Sequence, residues 1–464
     1  MSAKKITVCI LAAAVLAGCG YNNREYSESD ISQSVNDLPQ SSKNEAPGSE
    51  SEAVESVNST VSDSENSLFP EAEENKNSQP EYLEYFKDLK VHTIELNMPD
   101  WSRFINNPFA KTYAPADVKI DGELFENSAI RTRGNSSLYA YAVIDDKIRP
   151  PFKIKFDKYV DGRTFHGLDE LILLNAADDR SFIRDYIGYE AFRVLGGAAP
   201  YVSFFNIYAN GELHGLYVGV EAVDKSFLKR EFNSSKHNLY KAGSQSTLLP
   251  SMALSRLEQK KGSDESKSDL GYLIKVLDEM PLGEKGEIES ILNVDSVLKY
   301  FAVSAVLYNW DDYSGAYSHN YYLYMDGGTF YFIPWDMNMC CEQWGAHYVY
   351  SSGSRTDIAT PVTGDVSESE RPLVHKLLSI EEYYARYLGY CSELNEWLKE
   401  IDNSDYLDNI WDMLKTSVAE DPTKFYEYQR VEAEYNRRFN NGLAYFIHDR
   451  TVYLTKRLEE LMPQ

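Results

Sequence analysis

Apolar residues recur at every second position in short runs of the first half of the chain, and at helical spacing through most of the second half. "KVHTIELNM" (90–98) alternates and predicts a strand. "ADVKIDGELFENSAIRTRGNSS" (116–137) alternates on both sides of Asp121-Gly122, a hairpin signal, and ends in a polar loop at Arg131–Ser137. In "PFKIKFD" (151–157), Phe152, Ile154 and Phe156 share one face while Lys153, Lys155 and Asp157 share the other. "LDELILLNA" (168–176) is more continuously apolar and predicts a more buried strand. The spacing then predicts a helix over 178–197, with an Asp cap and a Gly stop. Its apolar stripe is Ile183, Ile187 and Val194, and Glu190 lies on that stripe, where a carboxylate needs a cationic partner. A hairpin over 202–223 turns at Asn210-Gly211. Residues 232–290 read as a polar insertion with one helix near 269–279, and 294–310 as an apolar helix. Residues 342–373 read as an irregular loop, and 377–462 as helical almost throughout. Strands first and helices later predict an α+β body in two parts with a cleft between them.

The stretch "NWDDYSGAYSHNYYLYMDGGTFYFIPWDMN" (309–338) follows the apolar helix. Asp326-Gly327-Gly328 is a strong turn signal between two aromatic, β-branched runs. Folding about that turn brings Asn320 opposite a residue near 333–335, so Asn320 and Asp336 are expected to meet at the open end. Asp311 and Asp312 stand just upstream. An amide oxygen and carboxylates converging on one spot suit a hard cation such as Mg²⁺, and a free carboxylate beside them can orient or deprotonate a hydroxyl. The lysine face of 151–157 would look into the same cleft, with a lysine as partner of Glu190.

Composition changes this picture outside the folded part. With 46 basic and 72 acidic residues the net charge is −26, which argues against a protein that coats nucleic acid. "MSAKK" and "ITVCILAAAV" form the basic and apolar parts of a targeting segment, and "LAGC" at 16–19 has the form of a bacterial lipobox. That form implies lipidation of Cys19, removal of residues 1–18, and a protein anchored on the outer face of the cell membrane. Residues 21–80 carry 13 acids against 3 bases and few large apolar groups, which predicts a disordered tether. Beyond Cys9 and Cys19, only Cys340, Cys341 and Cys391 remain, too few for a disulfide framework.

Several of these segments together resemble the spore-coat-H (CotH) family of atypical, secreted kinases. The carriers are "RTRGNSS" (131–137), "PFKIKFD", "LLNAADDRSFIRD" (173–185), "NGELHGLYVGVE" (210–221), and "NWD", "HNYYLY" and "IPWDMN" of the hairpin region, in the family's order over roughly residues 90–450. The resemblance implies a diverged, two-lobed protein-kinase-like fold. A mainly β lobe would span 83–223 and a mainly helical lobe 224–464, after a signal segment 1–19 and a tether 20–82. It also implies Mg²⁺-dependent transfer of phosphate from ATP to hydroxyls of secreted or cell-surface proteins. Lys153 or Lys155 would be the phosphate lysine, with Glu190 as its partner. Arg133, Asn135 and Ser136 would cover the phosphates, the strand ending at Glu221 would receive adenine, Asn320 and Asp336 would hold the metal, and Asp311 or Asp312 would be catalytic. The chain has no G-x-G-x-x-G loop, eight residues separate Asp311 from Asn320, and "PWD" carries no following glycine. A catalytically quiet kinase-like fold used for surface adhesion or cell-wall binding is the rival expectation. A glycosidase using Asp311 and Asp336 is another, but it leaves the lysine strand unexplained.

Overall fold

In the computed structural model, described residues run from 79 to 463, excluding 135, 140–142, 145–146, 342–356, 363–365 and 440–441. The targeting segment, Cys19, most of the expected tether and Asn135 lie outside the described residues. Residues 76–464 form one unit.

After α1 (Leu83–Lys87), the chain enters β1 (Val91–Asn97), then α2 (Trp101–Ile105), β2 (Ala114–Ile120) and β3 (Glu123–Thr132). Asp121 and Gly122 both adopt positive φ, 45° and 93°, the geometry that an Asp-Gly turn supplies at low steric cost. The short α3 (Ser136–Tyr139), β4 (Val143–Ile144) and β5 (Lys147–Ile148) lead to β6 (Phe152–Lys155) and β7 (Glu170–Leu174). Helix α4 (Arg184–Val194) precedes the hairpin β8 (Val202–Ala209) and β9 (Glu212–Glu221). Seven of these strands close a barrel in the order β1-β2-β3-β6-β7-β9-β8, sealed by a parallel β1–β8 pair. The period-2 pattern decides which side faces in: Phe152, Ile154 and Phe156 join the barrel core, so Lys153 and Lys155 point outward. The folded region begins before residue 83, since Tyr82 is fully buried in that core.

Helix α5 (Lys225–Phe232) leads to a second sheet. The polar insertion contributes more than its expected helix, α6 (Ser268–Glu279); it also supplies β10 (Leu239–Ala242) and β11 (Leu257–Lys261). After α7 (Val294–Val306), the hairpin β12 (Tyr321–Asp326) and β13 (Thr329–Pro334) completes a sheet ordered β11-β10-β12-β13. Its inner face packs on α7, with Tyr300 and Phe332 edge to face at 4.6 Å. The rest is helical: α8 (Pro372–Leu377), α9 (Glu381–Asp402), α10 (Tyr406–Glu420), α11 (Tyr428–Glu432) and α12 (Leu443–Leu461). Two buried ion pairs tie these helices to the barrel side, Arg149–Asp421 at 2.8 Å and Arg184–Glu434 at 3.0 Å.

Candidate active site

The β12–β13 hairpin closes as its sequence requires, with Tyr321 opposite Pro334 and the Trp335 amide donating to the Asn320 carbonyl at 3.2 Å. Asn320 and Asp336 therefore flank the open end. Both are left-handed, at φ 58° and 57°, a region that Asn and Asp tolerate better than most residues. Three residues of α4 hold the second turn. The Asp336 amide donates to the Tyr189 hydroxyl at 2.9 Å, and the Met337 amide donates to the Asp185 carboxylate at 2.8 Å. Gly188 lies between them in sequence, and a Cβ there would come within 2.6 Å of Met337, so the close approach of turn to helix requires glycine.

Asp311 and Asp312 separate cleanly. The Asp312 carboxylate is fully buried and accepts the Ser314 and Gly315 amides at 2.7 and 3.1 Å, so it shapes its own loop instead of facing the cleft. Burial pushes its carboxyl up to about 6. The Asp311 carboxylate instead bonds the His319 ring at 2.7 Å and the Asn320 amide nitrogen at 3.2 Å. The same nitrogen donates to the Asp311 carbonyl at 2.8 Å. With its nitrogen committed, Asn320 has its amide oxygen left for a ligand. His319 is shifted toward the charged form: burial opposes this, but the Asp311 carboxylate outweighs it.

Burial pushes the Asp336 carboxyl up, and nearby Asp311 adds to this, while Arg133 and Lys241 pull it down. Asp185 is pushed well above the usual carboxylate range by burial and then by Asp336. Two half-smothered carboxylates that disfavour each other's charge are what a divalent cation would relieve. The Asp336 carboxylate and the Asn320 amide oxygen are hard donors of the kind Mg²⁺ accepts alongside water and phosphate. These residues fit such an ion. Among the described residues no group of three or more His, Cys, Asp or Glu has metal-holding geometry, so an ion here would take few protein ligands.

The lysine face lies nearby. Arg131 of β3 pairs with Lys153 of β6, and two residues on, the Arg133 guanidinium reaches the Trp335 ring, which brings this barrel edge and the hairpin end together. Lys153 donates to both oxygens of Glu170, at 2.8 and 2.7 Å. Lys155 pairs with Asp157 at 3.0 Å. The expected lysine–Glu190 pair is not formed. Glu190 bonds Arg193 on its own helix at 2.6 Å, and Lys153 takes its carboxylate from the neighbouring strand. The reason is the rotation of α4: Glu190 and Asp185 are five residues apart, about 140° around the helix, and Asp185 is the acid that faces the hairpin.

The Glu221 carboxylate is fully buried and accepts from the Tyr82 hydroxyl, from Arg230 at 2.7 Å and from the Tyr201 amide at 3.2 Å, so the side chain itself is committed at the end of the strand expected to receive adenine. Arg133 lies next to the hairpin, its guanidinium 5.6 Å from the centre of the Trp335 ring. Ser136 opens α3, but its side chain, like Asn135, lies outside the described residues.

Sequence reasoning missed Glu170, Asp185 and Lys241. A pair of acids, Asp169 and Glu170, at the head of an apolar strand was the available signal for Glu170. Lys241 lay in a segment read as insertion, although "LYKA" alternates. It stacks on Trp335 at 5.0 Å and on Tyr322 at 5.6 Å, and burial pulls its ammonium down to about 8. Asp224, beside Glu170 and Asp169, is pushed up to about 8 by burial and by those two acids.

Residues 130–454 match the family model described as CotH kinase protein. The chain is 24% identical over 321 residues to the inner spore coat protein H of Bacillus subtilis (strain 168), covering 64% of this chain and 81% of that protein. Among solved structures, the Helicobacter pylori proinflammatory kinase CtkA is similar at 10% identity and a TM-score of 0.26, over 66% of this chain and 95% of that one. HipA in the Shewanella oneidensis MR-1 toxin–antitoxin complex with HipB and operator DNA gives 12% and 0.24, over 63% and 57%. Neither superposition is close enough to define the fold.

Proposed function

The chain belongs to the CotH kinase family, and from that premise we propose that it is an Mg²⁺-dependent phosphotransferase. It would move the terminal phosphate of ATP to hydroxyls of secreted or surface proteins from an anchor at Cys19 on the outer face of the membrane. The observation that carries the chemical part is the convergence of Asp311, Asn320 and Asp336 at one hairpin end, next to the barrel edge that carries Arg133 and the Lys153–Glu170 pair.

Each residue has a role its environment supports. Asp336 and Asn320 offer the oxygens that would hold the cation, which would supply positive charge to offset that of the phosphate. Asp311, part-exposed and oriented by His319 and Asn320, is placed to take up or orient the acceptor hydroxyl. Asp312 has no such role, because its carboxylate is buried within its own loop, away from any acceptor. Lys153, steadied by Glu170, supplies the phosphate-contacting charge, and Lys155 sits beside it with Asp157. The family's two-lobed arrangement would put the barrel above the nucleotide and the β10–β13 sheet with the helices below.

The test is thermal denaturation of the full chain with ATP, with and without Mg²⁺. The expected result is stabilisation that requires both, together with ATP turnover, and loss of the Mg²⁺ requirement and of turnover in Asp336→Ala at unchanged unliganded stability. Absence of any ATP–Mg²⁺ stabilisation in the natural chain would refute the reading and favour an adhesive, catalytically quiet role.

A further inference from the structure

The loop from Asp311 to Asn320 joins α7 to β12, and its far side is held by groups from distant segments. The Gln245 amide donates to the Tyr317 carbonyl at 2.6 Å and the Ser246 amide to the Ser318 carbonyl at 2.9 Å, both from the stretch after β10. The Leu373 amide of α8 donates to the Tyr313 hydroxyl at 3.2 Å, which donates in turn to the Thr247 carbonyl at 3.1 Å. All these donors are neutral. The Arg371 guanidinium, which immediately precedes α8, is not, and it donates to the Gly315 carbonyl.

Other buried arginines are used differently. Arg149 and Arg184 each meet a carboxylate, Asp421 and Glu434. Arg450 takes the Ala305 and Val306 carbonyls, but these close the C-terminal end of α7, where the helix dipole itself favours a cation. Arg371 is only 2% exposed, and among the described residues it takes the Gly315 and Glu370 carbonyls and no carboxylate. Neither of those carbonyls ends an α-helix. Stripping a guanidinium of water for loop carbonyls is costly unless an opposite charge stands near. Asp312 is that charge. The Gly315 amide donates to its carboxylate at 3.1 Å, and it is among the groups that act on Arg371. Gly315 is thus gripped between a buried anion and a buried cation.

The grip reaches Asp311 through the return of the loop. The Asp312 carbonyl accepts the Gly315 and His319 amides, both at 3.3 Å, and the closed loop sets the His319 ring on the Asp311 carboxylate at 2.7 Å. The metal side has separate supports. The Asn320 carbonyl accepts from the Trp335 amide and, at 3.3 Å, from the Tyr300 hydroxyl, and the Asp336 amide rests on Tyr189.

We propose that Arg371 is a positioning residue: by holding Gly315 it fixes the loop path that aims Asp311 at the acceptor, without touching nucleotide or metal. This rests on the phosphotransferase reading and adds to it a residue from the helical part of the chain.

The measurement is steady-state ATP turnover with Mg²⁺ by the full-length natural chain and by Arg371→Met, Arg371→Lys and Arg371→Ala, the last with and without free guanidinium ion at sub-denaturing concentration. Arg371→Met should lower kcat on the order of 10- to 100-fold, as a misplacement of about 1 Å would, and leave the KM for Mg²⁺–ATP unchanged. Arg371→Lys, which keeps a charged donor for Gly315, should recover most of kcat, and free guanidinium should restore part of it to Arg371→Ala. A raised KM at unchanged kcat would overturn the assignment, since Arg371 would then serve the nucleotide. So would a loss of kcat that follows the fraction unfolded and that neither lysine nor guanidinium restores. If the natural chain turns over no ATP, the phosphotransferase reading falls and this role falls with it. If it turns over ATP and Arg371→Met does so equally, only the positioning role falls.

Discussion

Replacing Asp421 by Asn tests whether the barrel and the C-terminal helices are one cooperative body. Asp421 follows α10 and its side chain is fully buried, as is that of Arg149, which it meets at 2.8 Å. Its carboxylate also accepts the Leu216 amide on β9 at 3.0 Å and the Thr423 amide at 2.8 Å. Arg149 has further acceptors in the Asn175 and Leu216 carbonyls and the Thr423 hydroxyl, and it lies 4.6 Å from the Tyr217 ring. The amide keeps one acceptor oxygen but turns the other into a donor, and it removes the charge, leaving a buried guanidinium without a counter-ion. Breaking a buried pair from one side costs about 3–5 kcal/mol, and the surviving acceptors put this case near about 3 kcal/mol. A unit of nearly 390 residues unfolds with an entropy of roughly 0.8 kcal/mol/K, so the melting temperature should fall by roughly 4 °C. Differential scanning calorimetry reads this directly, and the single transition should stay single. Arg149→Met combined with Asp421→Asn should cost less than the two changes added, because the second removes the charge the first orphans. A melting temperature within about 1 °C of the natural chain, or strict additivity in the double variant, would show that this pair does not couple the two regions.

Glu170→Gln should leave stability nearly unchanged, within about 1 kcal/mol, because its side chain and that of Lys153 keep some solvent contact, but should weaken Mg²⁺–ATP binding by roughly tenfold by releasing the lysine. Calorimetric titration checks this, and unchanged affinity would remove Lys153 from the phosphate site. Asp312→Asn should change the pH dependence of stability. The folded carboxyl titrates near 6, above its unfolded value, so ionisation costs the natural chain stability as pH rises through that range, and nothing at pH below both values. The amide is spared this cost and still accepts from Ser314 and Gly315. The melting temperature of the variant relative to the natural chain should therefore rise between pH 4 and pH 7.5, by up to about 3 kcal/mol in stability, and a flat difference would contradict the burial of a charge there.

Much of this arrangement was legible in the residues. Asp121-Gly122, Asn210-Gly211 and Asp326-Gly327-Gly328 turn where they stand in sequence, because a turn's backbone geometry is a local property of two or three residues. The alternation of "PFKIKFD" put its aromatic and aliphatic side chains into the barrel and its lysines outside. The third hairpin, once turned, had to bring Asn320 and Asp336 to one end, since antiparallel register is arithmetic from the turn outward. Those parts needed only the period of a strand and the chemistry of a turn.

Partnership was another matter. Whether Lys153 meets Glu190 or Glu170 depends on how a helix is rotated and docked against a sheet, and 3.6-residue periodicity gives the stripe but not what faces it. Asp311 and Asp312 are chemically equal neighbours; only the loop's path commits one to Ser314 and Gly315 and the other to His319 and Asn320. Lys241 reaches the site because β10 pairs with β12 across 80 residues of chain, and Arg133 because the barrel lies against that sheet. Local sequence thus determined the turns, the faces and the convergence of the hairpin ends. The ion pairs, the buried acids and the cations around Asp336 were decided by contacts between distant segments, where desolvation and charge act only once the chain has closed on itself.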